Sequence, residues 1–276
     1  MKKIILSLLA ISMLSFTTIA NSKSIRIGTE GAYPPWNNLN AAGELEGAEI
    51  DFGNEACKRM GVDCEWVTQD WDGIIPALLN GKYDIIIAGM SITEERKEKV
   101  NFTNGYMTDG ARFAVLKSSG LAGMNVGASK VNLNNAGGKE QAAIGQLIAA
   151  MDGKTVCVQS STIHQNFLEK HMSGAVEVRL YQAVDDHNLD LAAGRCDAIL
   201  ADVGSIIDFI ESDGGVDVTF TGPTFSGGVF GDGVGGAIRK EDTDILEMWN
   251  KVIAEMSADG TTAEITKQWF GRDISM

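Results

Sequence analysis

Charged, hydroxyl-bearing and aromatic side chains recur in this sequence where predicted strands end. The segments that carry them are EGAYPPW after the strand IRIGT, AGMSITEER after YDIII, SSTIH after TVCVQ, and the aspartate that ends CDAILAD. The side chains that share this position are Glu30, Tyr33, Arg96, Ser161, Thr162 and Asp202. Because ligands in open parallel α/β sheets bind beyond the carboxyl ends of the strands, the pattern predicts one binding site rather than unrelated surface turns.

Two of the predicted anchors suit an anion. In SITEERKE, Thr93 is a plausible helix N-cap and Arg96 falls in the first turn, where its forked donors can hold a carboxylate at two points. A solvated Arg96 paired with a neighbouring glutamate is the alternative. Ser161 or Thr162 begins a second helix, whose free N–H groups also form an anion site, although every helix has such an end.

The other predicted groups suit cations. Glu30 and Asp202 supply negative charge for ammonium or guanidinium groups, while Tyr33 and Trp71 offer flat apolar faces that stack on a guanidinium or an aliphatic chain. Anchors of both charges together with stacking faces describe a receptor for a zwitterion with an extra cation. An amino acid with a cationic side chain meets that description.

Motifs for catalysis or for a cofactor are absent from the sequence. It contains no GxSxG nucleophile elbow, HExxH zinc helix or phosphate-binding glycine loop, and His164, His171 and His187 lack the spacing of metal ligands. We therefore expect no enzymatic activity, no metal and no cofactor.

The amino terminus and the net charge predict export. MKKIILSLLAISMLSFTTIA places two lysines before an apolar stretch shorter than the roughly 20 residues of a membrane-spanning helix, which is typical of a cleaved signal peptide over residues 1–20. An uncleaved membrane anchor is the alternative. The first cysteine is Cys57, so no lipid anchor is expected, and the formal net charge of −14 disfavours nucleic acid as a partner. These features predict a protein that is free in the periplasm.

Alternating strand and helix patterns must position the site residues. Between residues 25 and 90, helices closed by Gly and strands rich in Ile and Val predict a parallel sheet covered on both faces. The pattern restarts near Lys154, which predicts a second α/β lobe. We assign residues 118–138, rich in Gly, Asn, Ser and Ala, and a short helix over residues 139–151 to an excursion within that lobe. The Met and Trp stripe of DILEMWNKVIAEMSADG is predicted to pack in a core.

Four cysteines in an oxidising compartment favour disulfides. Cys57 and Cys64 stand seven positions apart, which suits a bridge from a helix end to the next strand, and metal binding by this pair is the alternative. Cys157 and Cys196 lie in predicted strands. They form a second disulfide if those strands are neighbours and are buried thiols otherwise.

The chain resembles the periplasmic amino-acid-binding proteins of ABC importers, solute-binding protein family 3, over essentially its whole mature length. The resemblance is strongest to the lysine/arginine/ornithine and histidine binders. The matching segments, in chain order, are IRIGTEGAYPPW, GAEIDFGNEACKRMGVDC, WDGIIPALLNGKYD, SITEERKE, QSSTIHQNF, LDLAAGRCDAILAD and FGDGVGGAIRKED. Several matching segments in order are more specific than any single motif.

The resemblance implies the two-lobed α/β fold of type II periplasmic binding proteins, with parallel-rich sheets and hinge strands between lobes that close on the ligand. It implies lobe 1 at residues 24–111, lobe 2 at residues 112–225 and a return to lobe 1 at residues 226–276. The small disulfide of the family falls on Cys57 and Cys64. The implied partner is an ABC transporter permease in the inner membrane, and the protein is expected to be a monomer.

The resemblance also assigns roles at the end of the ligand that carries the amino-acid group. Arg96 falls where the family binds the α-carboxylate, with help from Ser91 and from the backbone at Thr162. Asp202 falls where the family binds the α-amino group.

At the side-chain end, the resemblance places Glu30 near the distal cation, and Tyr33 and Trp71 where two rings sandwich the ligand. Ala88 and Gly89 stand where the related binders carry a serine-rich pair. Two hydroxyl contacts are therefore missing, although backbone carbonyls can still accept hydrogen bonds from the α-amino group.

The predicted function is that of a periplasmic binding subunit for a basic amino acid: arginine, lysine, ornithine or histidine. Glu30, Trp71 and the excursion at residues 121–150 resemble instead the binders of opines such as octopine and nopaline, whereas Asp202 suits a primary ammonium. Opine binding or a broader polar amino-acid specificity is the alternative. A periplasmic dehydratase on the same fold and a chemoreceptor role are more remote alternatives.

Overall fold

The strands of the chain divide between two large sheets, each of which carries helices. The structure is a computed structural model that describes residues 24–276, and the predicted signal peptide lies outside the described residues. We call the part built on the first sheet lobe 1 and the part built on the second sheet lobe 2.

Lobe 1 begins with short strands and helices that alternate. In chain order they are β1 (Ser24–Thr29), β2 (Ala32–Tyr33), β3 (Asn37–Leu39), β4 (Leu45–Glu46), α1 (Ala48–Met60), β5 (Asp63–Thr68), α2 (Ile74–Leu79), β6 (Ile85–Ile86), α3 (Glu94–Lys97) and β7 (Asn101–Phe102). The predicted helix over WDGIIPALL starts with a 3₁₀ turn at Trp71–Gly73 before α2. Of the predicted strand YDIIIAGM, only the two residues of β6 join the sheet.

Lobe 2 carries the longer strands, and the chain then returns to lobe 1. The elements of lobe 2 are β8 (Ala111–Leu116), β9 (Lys130–Asn132), α4 (Gly138–Met151), β10 (Thr155–Gln159), α5 (Ile163–His171), β11 (Glu177–Tyr181), α6 (Val184–Ala192), β12 (Ala198–Asp202), α7 (Val203–Glu211) and β13 (Val218–Ser226). The returning elements are β14 (Ala237–Ile238), α8 (Thr243–Ala258) and α9 (Thr261–Phe270).

Both sheets are mixed rather than purely parallel. The first has the order β5-β1-β6-β14-β7 and the second β11-β10-β12-β8-β13-β9. β1 is parallel to β5 and β6, and β10 is parallel to β11 and β12, as the strand–helix alternation predicts. The antiparallel strands β8 and β14 are the first to enter a sheet after the chain changes lobe. They do not follow a crossover helix, which parallel neighbours require.

The chain passes between the lobes at residues 103–110 and again at residues 227–236. Met107 and Val234 form an antiparallel bridge, so the two crossing segments lie side by side. β8 begins at Ala111, one residue before the predicted boundary of lobe 2. We retain the predicted boundaries as a proposed division of the chain.

Local signals in the sequence set several helix ends. The backbone of Gly61 is left-handed and ends α1, while the side chain of Thr93 accepts a hydrogen bond from the backbone N–H of Arg96 and begins α3. Thr162, rather than Ser161, is the N-cap of α5. These capping interactions involve neighbours in sequence, which is why the sequence predicts them.

Each lobe has its own apolar core, and both the predicted disulfide and the possible second one are present. The stripe on α8 is buried in the core of lobe 1 through Ile245, Trp249, Val252, Ile253 and Met256. Disulfides join Cys57 to Cys64 and Cys157 to Cys196. The second forms because β10 and β12 are neighbours in the sheet of lobe 2, although Cys196 lies two residues before β12 begins and not within the predicted strand. Within residues 24–276, no helix is both long enough and apolar enough to cross a membrane.

Candidate functional site

A small cavity of about 20 Å³ lies between the lobes, at the carboxyl ends of β1, β10 and β12. Its walls contain nine of the ten predicted ligand-binding residues: Glu30, Tyr33, Trp71, Ala88, Gly89, Ser91, Arg96, Thr162 and Asp202. The walls also contain three residues that the sequence did not identify: Gln159, Ile163 and His164. Ser161, the tenth predicted residue, lies outside this wall.

The turn after β1 brings an aromatic ring and a carboxylate into the cavity wall. The amide oxygen of Asn37 accepts a hydrogen bond from the backbone N–H of Gly31 at 2.8 Å and fixes this turn. The ring of Tyr33 is parallel to that of Trp36, with 6.3 Å between centroids. Trp36 is fully buried and packs edge-on against Phe270, so it supports the turn rather than lining the cavity.

Glu30 is a buried carboxylate at one end of the cavity. Its Oε1 accepts a hydrogen bond from Nε2 of Gln159 in lobe 2 at 2.6 Å, and the same nitrogen also donates to the carbonyl of Gln182. The pKa of Glu30 is raised to about 7, chiefly by burial; the Gln159 hydrogen bond opposes the shift, and the negative charges of Asp70, Asp72 and Asp185 add to it. A ligand cation that stabilises the charged carboxylate would reverse this shift.

Arg96 supplies a guanidinium to the cavity. Its Nη1 donates to the carbonyl of Ser91 at 2.9 Å, and its guanidinium carbon lies 5.2 Å from the ring centroid of Trp71. Burial lowers the pKa of Arg96 to about 10, while Glu95 and Asp202 oppose the shift, so the group stays positively charged at neutral pH. Trp71 therefore stacks on a protein cation, in addition to its predicted role as a stacking face for the ligand.

Asp202 receives hydrogen bonds from both lobes. The hydroxyl of Tyr33 in lobe 1 donates to Oδ2 at 2.6 Å, and Nε2 of His164 in lobe 2 lies 3.2 Å from Oδ1. Burial, and then the negative charge of Asp202, raise the pKa of Tyr33 well above its ordinary value, so the phenol remains a donor. Each oxygen of Asp202 keeps a lone pair for a further donor.

A buried carboxylate beneath the cavity holds the Ala88–Gly89 peptide. Both carboxylate oxygens of Glu49 accept from the backbone N–H of Gly89, at 2.8 and 2.7 Å, and Glu49 also accepts from Tyr106 and Asn37. Because N–H and C=O point in opposite directions across a trans peptide, the carbonyl of Ala88 faces away from Glu49. Burial raises the pKa of Glu49, while its hydrogen-bond donors oppose the shift.

Gly89 also allows a close approach between two parts of the wall. Its backbone is left-handed, with φ of 60°, and a Cβ at this position would lie 3.2 Å from the ring of Tyr33. A larger residue would therefore strain the backbone and press on the aromatic ring. The absence of a side chain costs a hydroxyl contact but brings the peptide close to the cavity.

Two further hydrogen bonds join the lobes beside the cavity. The indole N–H of Trp71 donates to the carbonyl of Ser161 at 3.1 Å, and the hydroxyl of Ser160 donates to the carboxylate of Asp72 at 2.9 Å. Ser161 has a left-handed backbone, with φ of 57°, which is uncommon for a residue other than Gly. The carbonyl of Ser161 thus contacts lobe 1, and its N–H donates to Oε1 of Gln165 at 2.7 Å, while its anion contact stays a prediction.

Of the three unpredicted wall residues, one carried a signal in the sequence that could have identified it, and two did not. Gln159 is the last residue of β10, so its position at a strand end was a usable signal. Ile163 and His164 open α5, and the partner of His164 is 38 positions away in the sequence. In the described part of the chain, no group of three or more His, Cys, Asp or Glu side chains is arranged to hold a metal ion.

Known proteins are similar to this chain over nearly its whole length. The model of the bacterial extracellular solute-binding proteins, family 3, matches residues 25–272. The octopine-binding periplasmic protein of Rhizobium meliloti is 35% identical over 274 residues, with 93% of each chain covered. The L-arginine-binding protein of Pseudomonas aeruginosa is 36% identical over 278 residues, covering 99% of this chain and 98% of the relative.

A solved structure extends the similarity to the fold. A periplasmic His/Glu/Gln/Arg/opine family-binding protein from Silicibacter pomeroyi in complex with lysine is 34% identical, with a TM-score of 0.73, covering 91% of this chain and 99% of that chain. The two-lobed α/β fold predicted from the sequence is thereby confirmed.

Proposed function

Because the chain belongs to the bacterial extracellular solute-binding proteins of family 3, as its motifs predicted, we propose that it is the periplasmic binding subunit of an ABC importer for a basic amino acid. The proposed ligands are arginine, lysine, ornithine and histidine, with arginine bound best. The protein is proposed to act as a monomer, to lose residues 1–20 on export and to have no enzymatic activity.

The charge of the cavity carries this proposal. Among the described residues that line it, one guanidinium, that of Arg96, stands with two carboxylates, those of Glu30 and Asp202. A ligand with one carboxylate and two cationic groups would pair each of these charges with an opposite one. Pairing matters because an unpaired charge is costly to bury. A neutral amino acid would leave one buried carboxylate without a partner.

Each part of a basic amino acid has a proposed partner. Arg96 binds the α-carboxylate, helped by Ser91 and by the backbone at Thr162, where α5 begins. Asp202 binds the α-ammonium group, and the carbonyl of Ala88 offers it a further acceptor. These contacts are shared by every α-amino acid, so they provide affinity rather than discrimination.

Discrimination is proposed to reside at Glu30. Its carboxylate takes the distal cation, and the amide oxygen of Gln159 is a second acceptor because the nitrogen of that amide is already used. A guanidinium presents donors in a planar fork and stacks on aromatic rings, so it can use Glu30, Gln159 and the ring of Tyr33 together. The ammonium of lysine or ornithine is a compact charge and cannot make these contacts together, so the site is expected to favour arginine.

A comparison of ligands tests the proposal. Thermal shift and calorimetry with arginine, lysine, ornithine, histidine and glutamine should show the largest stabilisation for arginine and little for glutamine, since at equal concentration a tighter ligand stabilises the folded state more. Equal binding of glutamine and arginine would contradict the proposed role of Glu30. Turnover of a prephenate-like acid would contradict the absence of enzymatic activity.

A second cleft next to the cavity supports an opine as the alternative ligand. It shares Trp71, Arg96 and Ile163 with the cavity. Lys99 and Thr93 supply a cation and a hydroxyl for an additional carboxylate, beside the carboxylates of Asp72 and Glu95. Opines such as octopine and nopaline carry such a group on an amino-acid framework. Tighter binding of octopine or nopaline than of arginine would replace the proposed ligand, and broad binding of polar amino acids would do so as well.

A further inference from the structure

Asp202 stands at a helix start where an aspartate ordinarily caps its own helix. It is the N-cap residue of α7, with φ of −65° and ψ of 144°. The side chain of an N-cap residue usually accepts a hydrogen bond from the second or third N–H of the helix. Within residues 24–276, the Asp202 carboxylate accepts no such bond, and its oxygens contact Tyr33 and His164 in the cavity instead.

Asp109, on the first crossing segment, caps α7 in its place. Its Oδ2 accepts a hydrogen bond from the backbone N–H of Gly204, the second residue of the helix, at 2.6 Å. The adjacent carbonyl of Gly110 accepts from the N–H of Val203, the first residue of the helix, at 2.8 Å. The crossing segment thus satisfies two of the free N–H groups at the start of α7.

Two other donors fix the Asp109 carboxylate. Its Oδ1 accepts from the backbone N–H of Gly110 and from Nη2 of Arg272, each at 2.8 Å. Gly204 is required for this approach, since a Cβ there would lie 3.0 Å from Oδ2 of Asp109 and 2.6 Å from the ring of Phe270. The side chain of Asp109 is 3% exposed, so its hydrogen bonds are shielded from water.

We infer that Asp109 is a positioning residue that frees the Asp202 carboxylate to bind the α-ammonium group of the ligand. The inference rests on the proposed function, because it takes Asp202 as the ammonium anchor. A single carboxylate does not cap α7 while directing both oxygens into the cavity. Without Asp109, the N–H of Gly204 loses its acceptor, and Asp202 is already at the position from which it can supply one.

Two variants of Asp109 separate capping from charge. We expect Asp109→Ala to weaken the binding of L-arginine by about tenfold or more, because Asp202 turns toward its own helix. Asp109→Asn removes the charge but turns its NH₂ toward Arg272 when its oxygen accepts from Gly204, so it is combined with Arg272→Gln, whose amide oxygen can accept from that NH₂. The affinity of this double variant should stay within about threefold of the wild type. Equal losses of arginine affinity in the two variants would show that the effect comes from the charge of Asp109 and not from its capping of α7, and would overturn the inference.

A ligand without the α-amino group separates positioning from general damage to the fold. 5-Guanidinopentanoate keeps the guanidinium and the carboxylate of arginine, and Asp109→Ala should change its affinity by less than about threefold. In an Asp202→Ala background, Asp109→Ala should cause less than about a threefold further loss for arginine, since the two residues act as one unit. A comparable loss for both ligands would mean that Asp109 only maintains the fold.

Crystal structures of the ligand-free wild type and Asp109→Ala give a readout that does not depend on binding. In the variant, the Asp202 carboxylate should lie within hydrogen-bond distance of the N–H of Gly204 or Ser205. An Asp202 that keeps its contacts to Tyr33 and His164 would overturn the inference even if the affinity falls. If the wild type bound no amino acid, the proposed function would fail, and these structures would still decide what orients Asp202.

Discussion

The hydroxyl of Tyr33 in lobe 1 donates a hydrogen bond of 2.6 Å to the carboxylate of Asp202 in lobe 2. One side chain therefore carries both the proposed stacking face for the ligand and a direct contact to the proposed ammonium anchor. The contact spans the cavity, so it forms only when the lobes are close together. An amino acid that binds Asp202 must share this carboxylate with the phenol, which makes Tyr33 a residue whose ring and hydroxyl have separable effects.

Tyr33→Phe and Tyr33→Ala should separate those effects. Removal of the hydroxyl should change arginine affinity by no more than about 1.5 kcal/mol, because Asp202 keeps His164 as a neighbour and gains a free lone pair. Removal of the ring should cost more, since the stacking on the guanidinium is also lost. Calorimetry on both variants measures the difference, and equal costs would show that the ring does not contact the ligand.

Glu30→Gln should weaken a cationic ligand by roughly 1.5–3 kcal/mol, the usual range for a hydrogen bond to a charged group. The variant keeps the shape of the side chain and removes its charge. Glu44→Gln, at an exposed glutamate of the same lobe, is the matched control and should leave the affinity unchanged. Unchanged arginine affinity in Glu30→Gln would remove Glu30 from the site.

The binding of arginine should depend on pH through Glu30. Its pKa is raised to about 7 in the ligand-free protein, chiefly by burial, and a cationic ligand binds the ionised form. Affinity should therefore fall by up to about tenfold for each pH unit below 7, and level off above it, because binding then requires the loss of one proton. Calorimetry between pH 5 and pH 8 should show this slope in the wild type and not in Glu30→Gln.

The same shift has a defined sign for stability. Between the ordinary pKa of a glutamate and about 7, the folded protein binds more protons at Glu30 than the unfolded chain does. The contribution of Glu30 to the free energy of unfolding is thus largest at low pH and is lost as the pH rises toward 7. Thermal unfolding without ligand should show a smaller fall over this range in Glu30→Gln than in the wild type.

Arg96→Ala should weaken every ligand that has an α-carboxylate by at least as much as Glu30→Gln weakens arginine, because it leaves a buried anion unpaired. Agmatine, which is arginine without the carboxylate, is the matched control ligand and should lose far less. Arg96→Lys should recover only part of the affinity, since an ammonium lacks the two-point geometry of a guanidinium. Full retention of arginine binding in Arg96→Ala would contradict the shared anchor.

Glu49→Gln should lower both stability and affinity. The Gln amide offers one acceptor oxygen where the carboxylate uses two, so part of the network with Gly89, Tyr106 and Asn37 is left unsatisfied, at a cost of about 1–3 kcal/mol in unfolding free energy. Tyr106→Phe removes one donor from the same carboxylate and leaves Gly89 in place. A loss of arginine affinity in Glu49→Gln alone would locate the effect at the Ala88–Gly89 peptide, whereas equal losses would assign Glu49 a purely structural role.

The sequence alone determined the elements whose stabilising contacts are local. The caps at Thr93 and Thr162, the left-handed Gly61 and the buried stripe of α8 depend on residues within a few positions of one another. The position of polar and aromatic residues after predicted strands also identified five residues of the cavity wall, because the carboxyl ends of parallel strands meet at one edge. Ser91, Ala88 and Gly89 were assigned from the family resemblance instead. The antiparallel pairing of β8 and β14 was not predicted, since no local sequence pattern indicates where the chain passes from one lobe to the other.

Only the tertiary structure decided which partner each side chain meets. Gln159 and Glu30 are 129 positions apart in the sequence, and Asp109 and Gly204 are 95 positions apart. Neither contact can be predicted from sequence spacing. In the sequence, Glu49 reads as an acidic residue in the first turn of a helix, whereas in the fold it is a buried acceptor for Gly89. The directions of these side chains depend on how two lobes, joined at two crossings, pack against each other, and that packing is a property of the whole chain.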